Sequence, residues 1–112
     1  METRQAVAAL SALAHDTRLR VFRLLVRQGP DGLPAGRIAD RLGIAAPTMS
    51  AHLARLERAG LVRSWRVERW IYYAVDIEGT RRMLRYLTED CCQGHPELCG
   101  DLLAASATCK TG

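Results

Sequence analysis

At Gly60 the hydrophobic period of the chain changes. Before it, apolar residues recur at helical spacing. After it, Leu61 to Val67 and Trp70 to Val75 are rich in β-branched and aromatic residues. Glu68-Arg69 separates these two runs, so the pattern predicts a β-hairpin. Just upstream, two helical stretches stand only a few residues apart. The first has Pro34 at its entry, turns Ile38, Ala39 and Leu42 inward, and closes with Gly43 at its C′ position. The second covers 46–59, with Pro47 in its first turn and Met49, Leu53 and Leu56 as its apolar stripe. Two short helices joined by a tight Gly-containing turn form a helix-turn-helix, and a hairpin directly after the second makes it winged.

The flanks are helical too. Residues 3–14 carry Ala6, Val7, Leu10, Leu13 and Ala14 at helical spacing. A second helix is expected after Asp16 as N-cap, running through Leu19, Phe22, Leu25 and Val26 to Gln28 before a Gly29-Pro30-Asp31-Gly32 turn. A last helix is expected over 78–89, with Met83, Leu84 and Leu87 as its apolar face. The expected fold is mainly α with a β-hairpin wing. Residues 1–90 form its one domain, and 91–112 are an aperiodic, cysteine-containing segment. With 112 residues there is room for one ordinary domain, and 5% aromatics make its core aliphatic. No apolar run is long enough to span a membrane. METRQAVAALSALAHD has charge at both ends and no long apolar centre, so it is not a secretory signal. A cytoplasmic protein is expected.

Charge divides unevenly along the chain. Residues 1–75 hold 12 Arg against 6 acidic residues, while 76–112 hold 3 Arg and 1 Lys against 6. A basic body with an acidic tail points to a polyanionic partner. The helix over 46–59 fits one. Thr48, Ala51, Arg55 and Arg58 share a face away from the apolar stripe, flanked by Ser50 and His52. Small first-turn residues let a helix sit deep in a major groove, where hydroxyls meet base edges and methyls meet thymine. Arg55 and Arg58 fall where the helix leaves the groove and meets phosphates. Arg63, Arg66 and Arg69 on the hairpin are expected phosphate contacts. Trp65, Trp70, Tyr72 and Tyr73 are expected to pack the wing against the helices.

Over about residues 5–90 the chain resembles the ArsR/SmtB family of metal-responsive repressors. The resemblance rests on Leu42-Gly43, Pro47-Thr48-Met49-Ser50-Ala51-His52-Leu53, Leu56-Glu57-Arg58-Ala59-Gly60-Leu61-Val62 and Arg69-Trp70-Ile71-Tyr72-Tyr73. It implies a homodimer joined through the first and last helices, bound to double-stranded operator DNA and released by metal. The family often has Gly at the wing tip, where this chain has Glu68. Gly supports the positive φ of a tight hairpin turn, and Glu68 adds a negative charge there.

The family's sensor sites differ in place. The short helix before the recognition helix, Ala35 to Leu42, has no Cys, and the last helix has no His. All four cysteines follow residue 90, in Cys91-Cys92-Gln93-Gly94-His95-Pro96-Glu97-Leu98-Cys99 and at Cys109. With no export signal, free thiols or a soft ligand are expected rather than disulfides. Three thiolates without a required fourth ligand suit trivalent arsenic, whose lone pair fills the fourth direction, and trivalent antimony equally. The cluster resembles that of arsenic-responsive family members, so Cys91, Cys92 and Cys99 carry over as ligands. Zinc completed by His95 or Cys109, cadmium or lead, and a thiol redox switch are the rival sensors. A protein-binding winged helix is the rival function. No Cys-x-x-Cys beside a βαβ unit, Gly-rich phosphate loop or Ser/His/Asp set supports an enzyme.

Overall fold

The computed structural model describes residues 1–89. Its elements are α1 (Thr3–Leu13), α2 (Asp16–Gln28), β1 (Leu33–Pro34), α3 (Ala35–Leu42), α4 (Ala46–Arg58), β2 (Val62–Val67), β3 (Trp70–Val75) and α5 (Ile77–Thr88). The core is aliphatic: Leu25, Ile38, Met49, Leu53, Leu56 and Leu61 are fully buried. No charged or polar side chain is buried with them among the described residues.

The helix-turn-helix is built as its punctuation requires. Gly43 takes the left-handed conformation at φ 66°, and Ile44 N donates to Ala39 O at 3.0 Å, closing α3. Ala45 then caps α4, whose first turn holds Pro47. The sheet is antiparallel in the order β1-β3-β2. β2 and β3 pair from Val62↔Val75 to Val67↔Trp70, leaving Glu68 and Arg69 as a two-residue turn. β1 was not expected, because two residues carry no period. Leu33 and Pro34 pair with Tyr73 and Tyr72 because the Gly29–Gly32 turn delivers them to the edge of β3. Gly32, at φ 69°, lies against Tyr73 O, and a Cβ there would come within 2.5 Å of it.

The outer helices leave much of their apolar spacing outside the core. In α1 the inner residues are Ala6, Ala9 and Ala12, and Val7 and Leu10 face outward. Alanines let α1 lie close to its neighbours, so its bulkier side chains are displaced to the other side. In α2 the core takes Val21, Leu24 and Leu25, leaving Leu19 and Val26 exposed and Phe22 only partly buried. Asp16 is the first residue of α2 rather than its cap; His15 Nδ1 accepts from Thr17 N at 3.2 Å. In α5 only Met83 is buried, while Leu84 and Leu87 are exposed.

The start of α5 is held by a backbone contact. Asp76 Oδ1 accepts from Gly79 N at 2.9 Å, and Gly79 lies so close to Gly60 O that a Cβ would sit 1.8 Å from it. Gly79→Ala is therefore expected to destabilise the protein by about 3 kcal/mol or more, because neither backbone segment has room to yield. Gly36→Ala, on an α3 position with nothing within 4 Å, is expected to stabilise it by about 0.5–1 kcal/mol. Chemical denaturation of the two variants checks the pair.

Candidate nucleic-acid interface

α4 is two-sided. Met49, Leu53 and Leu56 anchor it in the core, while Thr48, Ser50, Ala51, Arg55 and Arg58 are exposed. The wing stands on one flank of this helix. Ser64 Oγ of β2 donates to Glu57 Oε2 at 2.7 Å, tying strand to helix. Burial, with the Glu57 carboxylate nearby, pushes the Tyr73 hydroxyl above its ordinary pKa.

The wing arginines are held rather than loose. Arg63 lies 4.5 Å over the Trp65 ring and donates to Pro30 O at 3.5 Å. Trp65 in turn stacks on Tyr72, 5.8 Å away and 20° from parallel. Arg66 Nε donates to Glu68 O at 2.9 Å across the turn, and Arg69 lies 5.6 Å over Trp70. At the tip Glu68 itself takes φ 56°, the left-handed conformation that glycine adopts without strain. The turn closes with Glu68 in place, and the strain stays in the wing.

On the opposite flank of α4, His52 is engaged. Its half-buried ring lies 4.8 Å from that of His15, and Arg18 Nη1 lies 3.3 Å from His52 Nδ1. Arg18 Nε also donates to Ala12 O at 2.7 Å, and Arg55 Nη2 donates to Ser11 Oγ at 3.4 Å. Burial lowers the pKa of His52 below its ordinary value, and His15 and Arg18 push the same way. Burial, then Arg55, likewise lowers that of Arg18. His15 and Arg18 belong to this flank although no periodicity marks them. The only sequence signal is a histidine and an arginine at the start of α2 and a histidine midway along α4.

Cys91, Cys92, Cys99, Cys109 and His95 lie outside the described residues. Among the described residues no three His, Cys, Asp or Glu side chains are grouped to hold a metal ion. No helix there is long and apolar enough to cross a membrane.

The recognition helix, its flanking wing and its exposed polar face together define a winged helix-turn-helix DNA-binding protein. Residues 13–64 match a helix-turn-helix domain family. The transcriptional regulator YgaV of Escherichia coli is 33% identical over 88 residues, covering 79% of this chain and 87% of YgaV. The arsenic resistance transcriptional regulator ArsR1 of Pseudomonas putida is 36% identical over 66 residues, 59% of this chain and 50% of ArsR1. A solved homodimeric winged helix-turn-helix DNA-binding domain from Mycobacterium bovis superposes with a TM-score of 0.64 at 28% identity, covering 78% of this chain and 81% of its own. The chain belongs to the helix-turn-helix transcriptional regulators and is similar to ArsR-family members among them.

Glu68→Gly is expected to raise stability by up to about 1 kcal/mol by relieving the left-handed strain, and Glu68→Gln to leave the strain in place. Thermal unfolding of both separates backbone strain from charge. Acid is expected to weaken the free protein through His52. Its folded pKa lies below its ordinary 6.5, so between the two values the unfolded chain binds more protons. The stability that this residue contributes is complete above pH 6.5 and is lost as pH falls below it. Denaturant unfolding across this range, compared with His52→Asn, measures the contribution.

Proposed function

We propose that this chain is a homodimeric transcriptional repressor that leaves its operator when trivalent arsenic or antimony binds its cysteines. The observation that carries the DNA-binding part is the outward face of α4. Thr48, Ser50 and Ala51 are exposed, as are Arg55 and Arg58 on the same helix. Hydroxyls and a methyl at the front of the helix read base edges in the major groove, while Arg55, Arg63, Arg66 and Arg69 hold phosphates.

Dimerisation through α1 and α5 is supported by what those helices leave uncovered. Thr3, Val7 and Leu10 follow one stripe of α1, and Thr3 Oγ1 hydrogen-bonds Tyr86 OH of the neighbouring α5. Val7 is 59% and Leu87 48% exposed, a large apolar loss that a second copy removes. The similar domain from Mycobacterium bovis is homodimeric, which supports a dimer here.

The inducer follows from donor chemistry. Cys91 comes three positions after Thr88, the last residue of α5, and Cys91, Cys92 and Cys99 supply three soft donors within nine residues. The named role of the ArsR1 relative in arsenic resistance points the same way. An inducer bound next to the dimer helix changes how the two subunits are set, and half-sites about 34 Å apart tolerate little change.

The test is release of a labelled duplex, taken from the DNA upstream of the protein's own gene, by arsenite, antimonite, cadmium or zinc. Arsenite and antimonite are expected to release it. Cys91→Ser, Cys92→Ser and Cys99→Ser each keep DNA binding and lose release, and Cys109→Ser loses neither. Thr48→Ala or Ser50→Ala weakens discrimination against random DNA by about 1–3 kcal/mol, whereas Arg69→Ala weakens all duplexes alike. Unaltered arsenite release from the Cys99→Ser protein refutes the ligand set.

A further inference from the structure

The corner where α1 meets α2, beside α4, gathers positive charge and gives it no counter-charge. Arg18 and Arg55 reach into it with His15 and His52, and the acceptors they find are a carbonyl, a hydroxyl and a ring nitrogen. The carboxylates of the three packed elements are turned elsewhere. Glu2 caps the far end of α1, Asp16 pairs with Arg20 at 3.7 Å, and Glu57 bonds Ser64 on the wing side. The N-terminus of α2, a 13-residue helix, opens onto the same corner, since His15 is its cap.

Both histidine Nδ1 atoms act as acceptors in this arrangement, because Arg18 and the Thr17 amide can only donate. Position adds the partner. α4 has the wing on its Glu57 side and this corner on its His52 side, so a helix in a major groove about 12 Å wide would bring the corner to the backbone opposite the wing.

We propose that this corner binds a backbone phosphate of duplex DNA, and that His52 takes up a proton from solvent when it does. This rests on the DNA-binding reading above. The phosphate draws Arg18 and Arg55 away from their neutral acceptors, frees the His52 Nδ1, and supplies the anion beside which an imidazolium is stable. DNA affinity then rises as pH falls through the histidine range, although the free protein grows less stable over the same range.

The experiment is anisotropy titration of the full chain with a mixed-sequence duplex of about three helical turns, at about pH 6 and about pH 8. Calorimetry in buffers of different ionisation heat counts the protons bound. The expected result is binding about fivefold tighter at the lower pH, with net proton uptake. His95→Asn keeps this behaviour, and His52→Asn loses it, the asparagine retaining an acceptor. Arg18→Gln lowers the slope of log affinity against log salt by about 0.9 for each phosphate lost, and Arg18→Lys restores most of it. If the His52→Asn variant does not fold, proton counting on the His95→Asn protein still decides. Steep salt dependence without proton uptake overturns the proton-coupled corner and leaves DNA binding standing. Absence of duplex binding at either pH overturns both.

Discussion

The turn from Ala59 to Leu61 decides where three working elements go. Gly60 takes φ 81°, its amide donates to Glu57 O at 3.0 Å, and the Leu61 amide donates to Leu56 O at 3.1 Å, so α4 is closed by its own last carbonyls. Leu61 O then accepts from Asp76 N at 2.9 Å, which brings the end of the wing back to the point where it began. Asp76 caps α5, and Gly79 lets that helix start against the Gly60 carbonyl. Recognition helix, wing and last helix thus share one backbone junction. Only glycine at 79 leaves room for it.

Much of this was legible because it is written in local chemistry. Gly43, Pro47 and Gly60 mark the ends of α3 and α4, and the alternation from Leu61 onward marks the wing. The stripe Met49, Leu53 and Leu56 was legible because a mid-domain helix has one core to face. The outer helices were not. α1 and α5 have apolar residues on two faces, and period alone does not say which one faces the core. Alanines won in α1 because close approach there matters more than side-chain size. Cys91, Cys92 and Cys99, proposed as ligands, lie outside the described residues, and their reading rests on composition, spacing and resemblance alone.

The His52 corner was invisible for a different reason. Arg18 and His52 are 34 positions apart, and each, read alone, is an ordinary polar residue on a helix. Only the packing of α2 against α4 makes them neighbours. The same packing converts exposed charge into charge that has lost some of its water, which is why Arg18 and His52 both hold protons less readily than usual.

The hydrogen bond from Ser64 to Glu57 has a consequence for how such a protein is switched. It fastens the hairpin to the helix it flanks, and Trp65 on Tyr72 stiffens the strand pair behind it. Helix and hairpin are therefore tied to each other at this point as well as through the chain that joins them. In the proposed homodimer, an effector would act on such a unit by re-aiming it whole, relative to its twin. The geometry to follow in a test of that proposal is the angle and spacing between the two halves, rather than the shape of either half.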